Sequence, residues 1–450
     1  MTKITKFVKN PKGFFADFLK KRETSTLLGG VVNQSNKLSL FIEKYSSNAG
    51  LSSKNVSASV SPVAVKTATR PPVASMNYQV NFFKKHVAIL HSGEGAKAGL
   101  AHLNLWIPSF LESNIDFIVL VRDLALYNAI KQEYPWLNIA FVKRPIDIEE
   151  FIAKLPFVKT VFYPSSTGNN IHLVRFSFLN HVFIGHGDSD KASSAHKGLR
   201  LYDEVWTAGE AHIDRFKNAS FNSDHIVFKK VGRPNSFKTL IDCQQHWTER
   251  KFNFLYLPTW EGFMEEANYS SIHLASEILN LITAKYLCKI SAKFHPLTGN
   301  RDLAYQNLDI QLSSTFPDQL DTINIIDKSI NLEQVLSLSN IFICDISAVI
   351  SECLAANGPI FVYIPKDKVI NIAASNMRYE DYCYAFSDIN QLDELLYKVL
   401  SGDDYLVESR KKAIDYLIGY EETLNKEFVN QLKSLEAQDV SSLPSRAYDF

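Results

Sequence analysis

Residues 340–364, NIFICDISAVISECLAANGPIFVYI, leave a folding chain few options. Two apolar runs flank a stretch in which Ile346, Val349, Ile350, Cys353 and Leu354 recur at i, i+3, i+4, i+7 and i+8, the spacing of one helix face. Runs that are apolar throughout are strands covered on both sides, so the segment reads as two buried parallel strands joined by a helix. Asp345 or Ser347 is the expected N-cap, and Gly358 with Pro359 the expected stop. The helix N-terminus then faces the carboxyl edge of the sheet, where free N–H groups and a serine hydroxyl suit a phosphate; capping alone accounts for the same two residues.

The pattern begins much earlier in the chain. HVAIL (86–90) runs into the glycine-rich HSGEGAKAGLAHLN and a helical pattern through Leu111, and strands are expected at 116–121, 138–142, 159–163, 181–185 and 203–207. This alternation predicts a doubly wound sheet with ligands at the carboxyl ends of its strands. Gly93, Gly95 and Gly99 miss the dinucleotide fingerprint by one residue, which excludes a nicotinamide site. After the breaker-rich residues 231–235 a second domain restarts the pattern with FNFLYLPTW (252–260) and KISAKFHP (289–296).

Two histidines end strands, His186 in the first domain and His295 in the second. Gly185 and Gly187 leave room beside His186 for a substrate, and an imidazole that titrates near neutrality suits a general base. A solvated histidine in a strand-ending turn is the plain alternative.

Lys and Arg (48) balance Asp and Glu (48), so net charge does not mark a nucleic-acid binder. Cys243, Cys288, Cys344, Cys353 and Cys383 show no CxxC spacing, which argues against zinc or a disulfide framework and for a reducing cytoplasm; neither metal nor cofactor is expected. Residues 3–22 hold seven Lys or Arg against one acidic residue, interleaved with phenylalanines. Such a segment rests on the anionic inner face of a membrane, with a solvated tail or partner-docking helix as the alternative. The expected organisation is a basic amphipathic extension (1–45), a flexible linker (46–81), a first Rossmann-like domain (82–235), a second Rossmann-like domain (236–436) whose last helices close it, and a disordered tail (437–450).

In order, IGHGDSDK, YLPTWEG, KFHP and CDISAVISECLAANGPIFVY resemble the landmarks of the CDP-glycerol glycerophosphotransferase family, the teichoic acid polymerases and their capsule-synthesis relatives. The resemblance covers roughly residues 84–430 as order and spacing of motifs. The last motif matches in register at Asp345, Ser347, Glu352, Asn357 and Pro359. Departures are Asp188-Ser189-Asp190 in the first motif, Glu261 after the PTW, and Ala348 in place of a second serine.

The resemblance implies an α/β fold of GT-B type, two Rossmann-like domains facing across a cleft, with 82–235 as the acceptor domain and 236–436 as the nucleotide-donor domain. It implies that His186 is the catalytic base, and that His295 with the Asp345–Ser347 turn holds the donor phosphates, helped by Lys191, Thr259 and Glu352. Glu94, Asp188 and Asp190 are expected on the acceptor side. The implied reaction moves glycerol phosphate from CDP-glycerol to a hydroxyl of a surface polysaccharide or glycolipid, releasing CMP. Two rivals are a CMP-sialic acid dependent capsule glycosyltransferase, for which Glu261-Gly262 would be an acidic-glycine motif, and a non-catalytic capsule-assembly component at the membrane.

Overall fold

The computed structural model describes residues 75–262, 264–316, 321–328, 330, 332–419 and 424–437. The basic segment, most of the expected linker and the tail beyond 437 lie outside the described residues. Two sheets organise the rest.

The first sheet contains β1 (Met76–Gln79), β2 (Ala88–Ser92), β3 (Phe117–Val121), β4 (Ile139–Val142), β5 (Thr160–Tyr163), β6 (Asn180–Phe183), β7 (Glu204–Thr207) and β8 (Val227–Lys230). Their order is β1-β4-β3-β2-β5-β6-β7-β8, parallel except for β1 against β4. The linker expected to run to residue 81 therefore gives up Met76–Gln79, whose backbone pairs with Ile139–Val142.

The second sheet contains β9 (Asn253–Leu257), β10 (Lys289–Ala292), β11 (Ile323–Ile325), β12 (Ile341–Asp345), β13 (Ile360–Tyr363) and β14 (Tyr384–Phe386), in the all-parallel order β11-β10-β9-β12-β13-β14. The central strands β9, β12 and β13 carry apolar runs because helices cover both faces. Along β12, Ile341 and Ile343 enter one core cluster while Phe342 and Cys344 enter the other. Along β2, Ala88 and Leu90 face one layer and Ile89 the opposite one.

In both sheets the chain winds outward, returns, and continues on the other side of its first parallel strand, β2 in one and β9 in the other. The reversal falls between β2 and β5 in the first sheet and between β9 and β12 in the second. At such a switch point the loops leave in opposite directions and open a crevice beyond the carboxyl ends.

The final helix, Leu424–Ala437, corrects the expectation that the C-terminal helices close the second domain. Phe428, Leu432 and Leu435 belong to the core cluster of the first sheet. The Phe428 ring lies 4.6 Å from Trp106 and 5.5 Å from Trp206, and Lys159 Nζ donates to the Leu435 carbonyl at 3.2 Å. The apolar face of that helix matches a layer left open on the first sheet, and sequence distance does not decide which layer it fills.

Candidate active site

The loops at the two switch points converge on a cavity of about 410 Å³ lined by His102, Ser166, His186, Lys191, Thr259, His295 and Ser347, among others. Its walls come from both lobes.

On the first-lobe wall, His186 follows β6. Its Nδ1 lies 3.0 Å from the Pro164 carbonyl, which only accepts, so Nδ1 carries the proton and Nε2 is left as a lone pair. The ring opens on the cleft, yet protein surrounds it closely enough that burial, with His102 adding repulsion, lowers its pKa from the ordinary value. At neutral pH it is therefore an uncharged imidazole able to accept a proton.

Both flanking glycines line the cavity beside His186, and each also has a backbone or packing role. Gly185 sits at φ 63°, in the left-handed region, and its carbonyl accepts from Trp106 Nε1 at 2.7 Å. A Cβ on Gly187 would lie 2.5 Å from the Ala348 methyl, so this glycine lets the two lobes approach.

His295, beyond β10, is protonated on the other nitrogen. The Leu297 N–H donates to its Nδ1 at 3.1 Å, leaving Nε2–H as a donor. Burial, reinforced by Lys191 and Lys97, pushes its pKa down to about 3, and Trp260 lies nearly parallel to it with centroids 6.2 Å apart. One wall thus offers an imidazole acceptor and the other an imidazole donor.

Lys191 reaches across the cleft, its Nζ donating to Thr259 Oγ1 at 3.0 Å and lying 5.5 Å from the Tyr269 ring centroid. Burial lowers its pKa to about 8, and Asp345 opposes that shift. Asp345 ends β12 fully buried; one carboxylate oxygen accepts from the Thr259 N–H at 2.7 Å and the Ser271 N–H at 3.1 Å. Burial raises its pKa to about 7, with the Ser271 and Thr259 hydrogen bonds acting against it. Its contacts thus stitch the loop after β9 to the end of β12, across the switch point of the second sheet.

The expected helix cap is different. The helix spans Val349–Ala355, its N-cap is Ala348, and no side chain caps it. Asp345 is consumed by loop amides, and Ser347 Oγ donates to the Asp345 carbonyl at 3.2 Å. At the other end Asn357, at φ 50°, takes the left-handed turn expected of Gly358.

Three further expectations are corrected. Asp188 and Asp190 do not face an acceptor: both are buried on Arg215, whose Nε donates to Asp190 at 2.6 Å and whose Nη1 donates to Asp188. Glu352 is not free for a phosphate, since it accepts from Arg233 Nε at 2.9 Å and Ser236 Oγ at 2.8 Å. Glu261 turns away from the cleft to accept the Gly299 N–H at 2.8 Å, so the Glu261-Gly262 pair shapes the loop after His295.

Glu94 leaves β2 on the same side as His186, and its carboxylate accepts from His102 Nδ1 at 2.8 Å. His102 and Arg233 escaped the sequence reading. His102 stacks on His186 with centroids 3.7 Å apart and planes 13° apart, and Arg233 Nη2 donates to the His186 carbonyl at 3.0 Å. The available signal was a histidine in the helix that leaves the glycine loop, Ala96–Glu112.

No family model matches the chain, and no curated protein matches it. Solved structures do. The wall teichoic acid polymerase TagF, as a histidine-to-asparagine variant soaked with CDPG, is 12% identical with a TM-score of 0.50, over 80% of this chain and 91% of that one. TagF without a substitution gives 13% identity and a TM-score of 0.50, over 80% and 90%. MnaA from S. aureus with UDP gives 11% and 0.51, over 80% and 99%. At these identities the likeness is one of fold, and the fold is GT-B.

Proposed function

We propose that this protein transfers glycerol phosphate from CDP-glycerol to a hydroxyl of a cell-surface polymer or its lipid-linked primer, releasing CMP. The observation that carries the reading is the opposed pair of neutral histidines in one cleft, His186 with a free Nε2 and His295 with a free Nε2–H. Similarity of fold to a teichoic acid polymerase soaked with CDPG supports the choice of donor.

In this reading His186 Nε2 takes the acceptor hydroxyl proton as the oxygen attacks the glycerol-bearing phosphorus. The bond from that phosphorus to the bridging oxygen breaks, and CMP leaves with the electron pair. Lys191 and the His295 Nε2–H meet the charge that develops on the phosphates. The basic residues 3–22 are proposed to hold the enzyme on anionic membrane, where a lipid-linked acceptor resides.

A donor screen tests the proposal: purified protein with a hydroxyl acceptor releases CMP from CDP-glycerol and not from CMP-sialic acid. Release from CMP-sialic acid alone makes it a glycosyltransferase. Release from neither removes the catalytic reading.

A further inference from the structure

His186 and His102 form a stacked pair in which each ring is anchored separately. His186 Nδ1–H is fixed on the Pro164 carbonyl at 3.0 Å, and His102 Nδ1–H on the Glu94 carboxylate at 2.8 Å. The rings lie 3.7 Å apart and within 13° of parallel, and both line the cleft. One hydrogen bond leaves an imidazole free to swing about it, whereas a bond in the ring plane and a flat neighbour against its face leave one orientation.

We propose that His102, held by Glu94, is a positioning residue for His186, fixing the plane of that imidazole so that Nε2 stays open to the acceptor hydroxyl; this rests on the reading of His186 as the base. Glu94 is itself placed by the turn that leaves β2 at the switch point, where its backbone N–H donates to Ser92 Oγ at 3.3 Å. The device links the topological reversal of the first sheet to the base on β6 through one carboxylate and one ring.

The charged and titratable groups facing His186 are His102 and Glu94 on the side of the glycine loop, Arg233 just beyond β8, and His295 across the cleft. Of these, His102 disfavours and Glu94 favours the protonated form of His186. Substituting the two neighbours should therefore move the acid limb of turnover in opposite directions. These shifts report the charges of the pair, and the tautomer and the split between kcat and KM report the positioning.

Two measurements on the full chain decide it. Heteronuclear NMR of isotope-labelled histidine, without donor, shows His186 as a single Nδ1–H tautomer. The expected result is a tautomer mixture in His102→Ala and a single tautomer in His102→Phe, which keeps the flat contact.

In the CMP-release assay, kcat falls by ~10- to 100-fold in His102→Ala, with KM for the donor changed by less than about twofold, and recovers in part in His102→Phe. The acid limb moves to higher pH in His102→Phe and to lower pH in Glu94→Gln. An unchanged His186 tautomer in a folded His102→Ala, or full turnover in that variant, overturns the proposal. If the unsubstituted protein releases no CMP from CDP-glycerol, the functional reading fails, while the NMR result still decides the positioning role.

Discussion

At the scale of single residues the site works by controlling protonation without a permanently charged base. Lys191 is the informative exception, because burial in the cleft displaces the pKa of its ammonium toward neutrality, to about 8. Below that pH it is charged and attracts a diphosphate; above it the attraction is lost. The expected outcome is a fall in kcat/KM as pH rises through about 8, with the same limb in kcat displaced upward, since a bound dianion favours the charged amine. Lys191→Met should abolish the limb and weaken nucleotide binding by ~10- to 100-fold, measured by calorimetric titration with CMP and CDP-glycerol. A limb that survives in Lys191→Met belongs to another group. His186→Ala should instead bind the nucleotide nearly as before while turnover drops by ~100-fold or more.

At the scale of elements, the two loops that carry Gly187 and Ala348 meet at a contact with no room for another carbon. Gly187→Ala is expected to destabilise the protein by ~1 to 3 kcal/mol through overpacking, with a matching fall in melting temperature. Ala348→Gly in the same chain should restore most of it, and additive losses in the double variant would show that the two loops do not touch.

Element by element, the sequence was most readable where burial is double-sided. The interior strands β2 to β7, β9, β10, β12 and β13 were all legible, most of them as apolar runs. The strands that escaped, β1, β8, β11 and β14, are the four edges of the two sheets. An edge has one neighbour, and its side chains need not be apolar throughout, as MNYQ in β1 and the largely exposed Val227–Lys230 of β8 illustrate. The site followed the same rule. His186 and His295 stood at strand ends and were legible, whereas the burial of Asp188 and Asp190 depends on Arg215, a partner that local pattern does not reveal. His102 was hidden for the same reason, its meaning residing in a ring 84 positions away.

At the scale of the whole molecule, the proposed membrane tether precedes every described strand in sequence. Residues 1–74 precede β1, so a protein that begins at residue 75 retains every described strand in its sequence. That truncated protein should keep turnover on a soluble acceptor but lose binding to anionic vesicles, and the binding of the full chain should weaken as salt rises. Equal vesicle binding by both forms would assign the tether to another surface.

The last helix has a consequence for how the chain comes to be folded. Phe428, Leu432 and Leu435 complete the apolar layer over Trp106 and Phe110, so the first lobe lacks part of its interior until residues 424–437 have been made. During synthesis the N-terminal lobe must wait, its tryptophan face uncovered, while the second lobe, whose strands lie wholly within residues 253–386, can already close on itself. The lobe translated first is thus the one sealed last, and a ribosome that stops after Gly419 releases a chain whose defect lies in its beginning.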